Sequence, residues 1–104
     1  MNFLYARAWY SKALAFLNLK NQIGSEKSFE KALEAFDAVL QVNPEDSIAW
    51  QYKGNILLYL DQPEEALGAF ERALEFDPEN ITARYLKGFV FGYLNMPEKA
   101  LNEF

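Results

Sequence analysis

The chain has 104 residues, 51% of them apolar and 24% charged, a composition that folds as one globular domain and leaves no room for a second. It contains no His and no Cys, which removes imidazole bases, thiol nucleophiles, disulfides and zinc sites built on those ligands. Ten basic residues against fifteen acidic ones give a net charge of −5, which argues against nucleic acid as a partner, because affinity for a phosphate backbone rests on basic side chains.

The lead segment, Met1 to Tyr5, lacks the positive start of a secretory signal, and Arg7 and Lys12 interrupt the apolar stretch that follows. The run Ile56 to Leu60 falls far short of the roughly 18–20 residues a spanning helix needs. The expectation is a cytoplasmic protein with no membrane insertion; the absence of Cys fits a reducing compartment.

A first helix is predicted around Trp9, Ala13 and Phe16, followed by a loop at Asn21 to Gly24. A second helix starts at Ser25, which can cap it, and continues one apolar face through Phe29, Leu33, Phe36 and Leu40 at spacings of four, three and four. Pro44 ends it. The next helix holds Trp50, Lys53, Gly54 and Leu57 on one side and stops before Asp61-Gln62. Pro63 then sits in the first turn of a fourth helix, where its missing N–H costs nothing, and Ala66, Phe70 and Ala73 follow until Asp77-Pro78. From Ile81 the pattern begins again.

An offset of 34 governs this order: Pro44/Pro78, Pro63/Pro97 and Gly54/Gly88 all obey it. Sliding residues 47–70 onto 81–104 gives ten identities in 24 positions, and residues 30–46 match residues 64–80 at eight of 17. Trp9 aligns with Trp50 only across seven additional residues near 23–29, almost two helical turns, so the second helix keeps its phase and simply starts early. The chain therefore divides into repeat one (6–46, with the insertion), repeat two (47–80) and a partial repeat three (81–104). Small residues are expected where paired helices approach most closely, at Gly54 with Ala66, Gly88 with Ala100 and Ala13 with Ala32.

With Trp50, Gly54, Leu57, Ala66, Phe70, Ala73 and Pro78 over 34 residues, the chain resembles the tetratricopeptide repeat family. Repeat one departs from the pattern by its insertion and repeat three by Arg84 in place of Trp. The resemblance implies an all-α fold, a right-handed α-solenoid of antiparallel helix pairs with about two and two-thirds repeats. It also implies a non-catalytic scaffold whose first helices line a concave groove for a partner protein or peptide segment, with no cofactor and no metal.

Family groove positions hold Tyr10, Leu14, Tyr52, Asn55, Tyr59, Tyr85, Phe89 and Tyr93, an aromatic set suited to an apolar or amphipathic segment. The same positions include Leu58 and Leu86. Tyr52 and Asn55, in the central repeat, are expected to be the most exposed. Heat-shock chaperone cofactors of this family grip a terminal carboxylate with Lys, Arg and Asn; here the matching positions hold Tyr10, Leu14, Tyr52, Thr82 and Leu86, so an acidic tail is not the expected ligand. The alternative is a self-associating module, or a fragment of a longer repeat array, that forms a homo-oligomer through an uncapped end at Phe89, Val90, Leu101 and Phe104.

No constellation points to an enzyme. Ser11, Ser25, Ser28 and Ser47 have no base to activate them, and Glu64/Glu65 and Glu45/Asp46 stand at helix starts, where acidic groups favour the helix dipole. Asp61-Gln62-Pro63-Glu64 lacks the alternating oxygen ligands of a calcium loop.

Overall fold

A computed structural model describes residues 2–94, which form five α-helices: α1 (Phe3–Asn18), α2 (Gln22–Val42), α3 (Ser47–Tyr59), α4 (Pro63–Phe76) and α5 (Ile81–Tyr93). There is no strand among the described residues, and none of their helices is long and apolar enough to cross a membrane.

An Asx side chain opens each first helix by accepting a backbone N–H three residues on: Asn2 from Tyr5 at 2.8 Å, Asp46 from Ala49 at 3.0 Å, Asn80 from Ala83 at 3.0 Å. The expected cap at Ser25 and loop over Asn21 to Gly24 are not what forms. Asn21 caps α2 by accepting from Gly24 N at 2.9 Å, and Ser25, inside the helix, donates its hydroxyl to Gln22 O at 2.9 Å. Gly24 is there for closeness: a Cβ on it would meet the Phe16 ring at 2.8 Å. In α4 no side chain caps; Pro63 stands in the first turn beside Glu64 and Glu65, which favour the positive end of the helix.

α1/α2 and α3/α4 are joined by the same turn 41 residues apart. Lys20 (φ 57°) and Asp61 (φ 60°) both adopt the left-handed conformation, and the next residues close back onto the helix, Asn21 N to Phe16 O at 2.9 Å and Gln62 N to Leu57 O at 2.8 Å. The turns that leave α2 and α4 are instead 34 apart, with Asn43 and Asp77 extended ahead of Pro44 and Pro78. The difference, 41 − 34 = 7, equals the excess length of α2 over α4, 21 − 14 residues. No break in α2 marks where the additional two turns enter.

Those turns carry a second aromatic layer. Phe29 and Phe36 are both buried, and α3 lays a tyrosine flat on each: Tyr59 on Phe29 at 4.6 Å between ring centroids and Tyr52 on Phe36 at 5.0 Å. α1 reaches far enough to set Phe3 edge-on to Phe36 (5.5 Å), while Tyr10 meets Tyr52 edge-on at 5.1 Å. Each such pair adds about 0.5–1.5 kcal/mol beyond the area it buries.

In repeat two the close approach differs from the expected Gly54–Ala66 pairing. A Cβ on Gly54 would lie 2.5 Å from the Phe70 ring, so the aromatic ring itself occupies the gap, and Ala66 is fully buried alongside. Ala100, the expected counterpart of Gly88, lies outside the described residues.

Candidate interaction groove

The first helices α1, α3 and α5 share one face. Between them opens a hollow of about 370 Å³ lined by Tyr10, Asn55, Leu58, Tyr59, Leu86 and Phe89. Among the described residues no charged side chain lines it. A smaller hollow of about 190 Å³ continues it past Leu58 and Phe89 to Asp61, Pro63 and Tyr93. Tyr59 and Phe89 are about half exposed, at 47% and 49%, so large apolar surface is presented to solvent on both sides of the hollow.

The polar groups here are few. Burial, reinforced by neighbouring Tyr59, pushes the Tyr10 hydroxyl up to about 12, and a hydrogen bond with the Asn55 side chain works in the opposite direction. Asn55 Oδ1 is buried and has no hydrogen-bond partner among the described residues. Tyr93 donates its hydroxyl to Asp61 Oδ1 at 3.2 Å, and the Asp61 charge raises its pKa.

Of the eight residues expected in the groove, Tyr10, Asn55, Tyr59 and Phe89 line the main hollow and Tyr93 its extension. Tyr52 does not have the exposure expected of it: it is half-buried between Phe36, Tyr10 and Phe3. Leu14 is half-buried against the core cluster of α1, α2 and α3, and Tyr85 is exposed on α5 and absent from the lining. Leu58 and Leu86 complete the wall; an aromatic criterion passes over them, although their repeat positions are groove positions. Of the expected self-association surface, Val90 is fully buried between α4 and α5 and cannot present itself, Phe89 belongs to the groove, and Leu101 and Phe104 lie outside the described residues.

Two tetratricopeptide repeat profiles match the sequence, one at residues 47–80 and one at residues 6–39. The chain belongs to the tetratricopeptide repeat family. The profile at 6–39 puts Phe29 in the place Phe70 takes in the other, the same correspondence as the two hairpin turns.

Solved structures of similar fold include the second TPR of Spaghetti (RPAP3) bound to the HSP90 peptide SRMEEVD, at 16% identity and a TM-score of 0.74, covering 95% of this chain and 85% of that one. MamA from Desulfovibrio magneticus RS-1 is similar at 21% identity and a TM-score of 0.68, covering 95% and 71%. The TPR2B domain of yeast Sti1 in its pHsp70 complex is similar at 17% identity and a TM-score of 0.65, covering 96% and 74%. At these identities the likeness is one of fold. Among curated proteins none matches the sequence significantly.

Proposed function

We propose that this TPR chain is a non-catalytic interaction scaffold that holds an extended apolar or amphipathic segment of a partner protein along α1, α3 and α5. The observation that carries the reading is the hollow bounded by Tyr10, Asn55, Leu58, Tyr59, Leu86 and Phe89, with no charged side chain among the described lining residues. Apolar side chains of the segment fill the hollow. The HSP90 peptide bound to the similar Spaghetti domain supports a peptide as the occupant. The chemistry differs from an acidic tail: Tyr10 and Leu86 stand where a carboxylate grip needs cations.

Calorimetric titration of the chain with SRMEEVD, and with the same peptide bearing leucine at its two glutamates, tests this. The leucine form is expected to bind at micromolar concentration and to lose at least about tenfold in affinity with Tyr59→Ala or Phe89→Ala, each of which removes an anchor of about 1.4 kcal/mol or more. Competable micromolar binding of SRMEEVD itself, or affinity indifferent to both substitutions, would overturn the reading.

A further inference from the structure

The two seams between successive repeats are made of the same contacts 34 residues apart. α2 presents Leu33, Asp37 and Leu40, and α3 answers with Lys53, whose Nζ lies 2.8 Å from Asp37 Oδ1, and with Trp50, whose Nε1 donates to Pro44 O at 2.8 Å. α4 presents Leu67, Glu71 and Leu74, and α5 answers with Lys87, 3.9 Å from Glu71 Oε2, and with Arg84, whose Nη2 donates to Pro78 O at 3.1 Å. On the answering helices Ala49, Ile56, Ala83 and Val90 are all fully buried.

α1 carries the answering half a third time, 41 residues before α3: Ala8, Trp9, Lys12 and Ala15 correspond to Ala49, Trp50, Lys53 and Ile56. Here the face is open. Ala8 and Ala15 are exposed, and neither the Lys12 ammonium nor the Trp9 indole N–H has a hydrogen-bonding or carboxylate partner among the described residues. Lys12 Nζ rests over the Trp9 ring at 4.9 Å, the same pose in which Lys53 rests over Trp50 at 5.3 Å while engaging Asp37. A hollow of about 260 Å³ lies between Tyr5, Ala8, Trp9 and Lys12.

We propose that this outer face of α1 docks an amphipathic helix of a partner protein that presents what α2 and α4 present: leucine, an acidic residue and leucine at i, i+4 and i+7, followed at i+11 by proline with its carbonyl free to accept. Charge complementarity with Lys12 and continuity with two built seams define the occupant. A second copy of the chain is not the occupant, because both of its described helices of this pattern already engage their own Lys53 and Lys87.

The test is a nuclear magnetic resonance titration of the full labelled chain with a synthetic helix of the sequence 63–80, PEEALGAFERALEFDPEN, stapled between positions 65 and 72 on its solvent side so that failure to bind cannot be failure to fold. The Trp9 indole N–H resonance is expected to move saturably while that of Trp50 stays in place. Lys12→Glu should weaken binding about two- to five-fold, the range of a partly exposed ion pair, and a peptide with lysine in place of Glu71 should recover the loss. A Trp9 resonance unmoved at millimolar peptide, shifts confined to the α1/α3/α5 groove, or no recovery on charge exchange would each overturn the proposal, as would dimerisation of the chain through this face.

Discussion

Two glycines in adjacent helices should respond to the same substitution with opposite signs. Gly68 lies in α4 with nothing within 4 Å of the place its Cβ would take, so Gly68→Ala gains helix propensity without hindrance, about 0.5–1 kcal/mol. Gly54→Ala gains the same propensity, but its Cβ arrives 2.5–2.8 Å from three atoms of the Phe70 ring. Ordinary contact is about 3.5–4.0 Å, so the ring must retreat by about 1 Å. Phe70 is fully buried and has no exposed side to retreat toward. Overpacking of this kind costs about 1–3 kcal/mol, and with three ring atoms overlapped at once the upper part of that range applies, leaving a net loss of about 1–2 kcal/mol after the propensity gain. Urea unfolding followed by circular dichroism should show a lowered midpoint for Gly54→Ala and a raised one for Gly68→Ala, and thermal unfolding a separation of roughly 6–24 °C in Tm for a domain of this size. Combining Gly54→Ala with Phe70→Leu should cost less than the sum of the two alone, since the smaller side chain yields the space. A Gly54→Ala variant as stable as Gly68→Ala would refute the account of close packing between α3 and α4.

Lys20 holds the left-handed turn between α1 and α2, so Lys20→Gly should raise stability by about 0.5–1 kcal/mol, read as a higher urea midpoint. Tyr52→Ala is expected to lose about 2–4 kcal/mol of stability, because the ring is stacked on Phe36 and met by Phe3 and Tyr10; a fully stable variant would put Tyr52 back among groove contacts. The Tyr10 hydroxyl ionises at about 12 in the fold and near 10 in the unfolded chain, so between those values the unfolded state has released a proton that the folded state keeps. Stability contributed by this group is complete below pH 10 and falls as pH rises toward 12, by about 1–2 kcal/mol once solvent access to the half-open ring is allowed for. Tyr10→Phe should flatten that part of the decline, measured as the difference in urea stability between pH 9 and pH 11.

The helix pattern was legible because it depends on local chemistry: prolines fix where α2 and α4 stop, and the 34-residue offset fixes which residues correspond. The seam role of Arg84 was not, since at its position the pattern asks for Trp. Trp50 and Arg84 share no shape, but both reach back to a carbonyl of the preceding turn, at Pro44 and Pro78. Sequence similarity scores them as a mismatch, whereas hydrogen-bond chemistry treats them as equivalents. The Gly54 contact was half legible. Helical phase says that Gly54 faces α4, but whether it meets Ala66 or Phe70 depends on the axial offset of the two helices, which the three-residue hairpin turn sets.

The seven additional residues of α2 explain why the groove has its present shape. Because they add two whole turns, Phe36 repeats the role of Phe29 one layer further from the hairpin turn, and Tyr52 is drawn onto it as Tyr59 is drawn onto Phe29. Tyr10, lying between the two layers, touches both Tyr52 and Tyr59. Tyr52, which the family pattern assigns to ligand, is thereby spent on holding repeats one and two together, while Tyr10 and Tyr59 keep a face on the hollow. The open part of the groove is displaced toward the hairpin-turn end of α3 and toward α5, where Leu58, Leu86 and Phe89 line the hollow with no ring stacked on them among the described residues. An insertion that leaves helical phase untouched thus moves the candidate binding surface by converting a groove aromatic, Tyr52, into core.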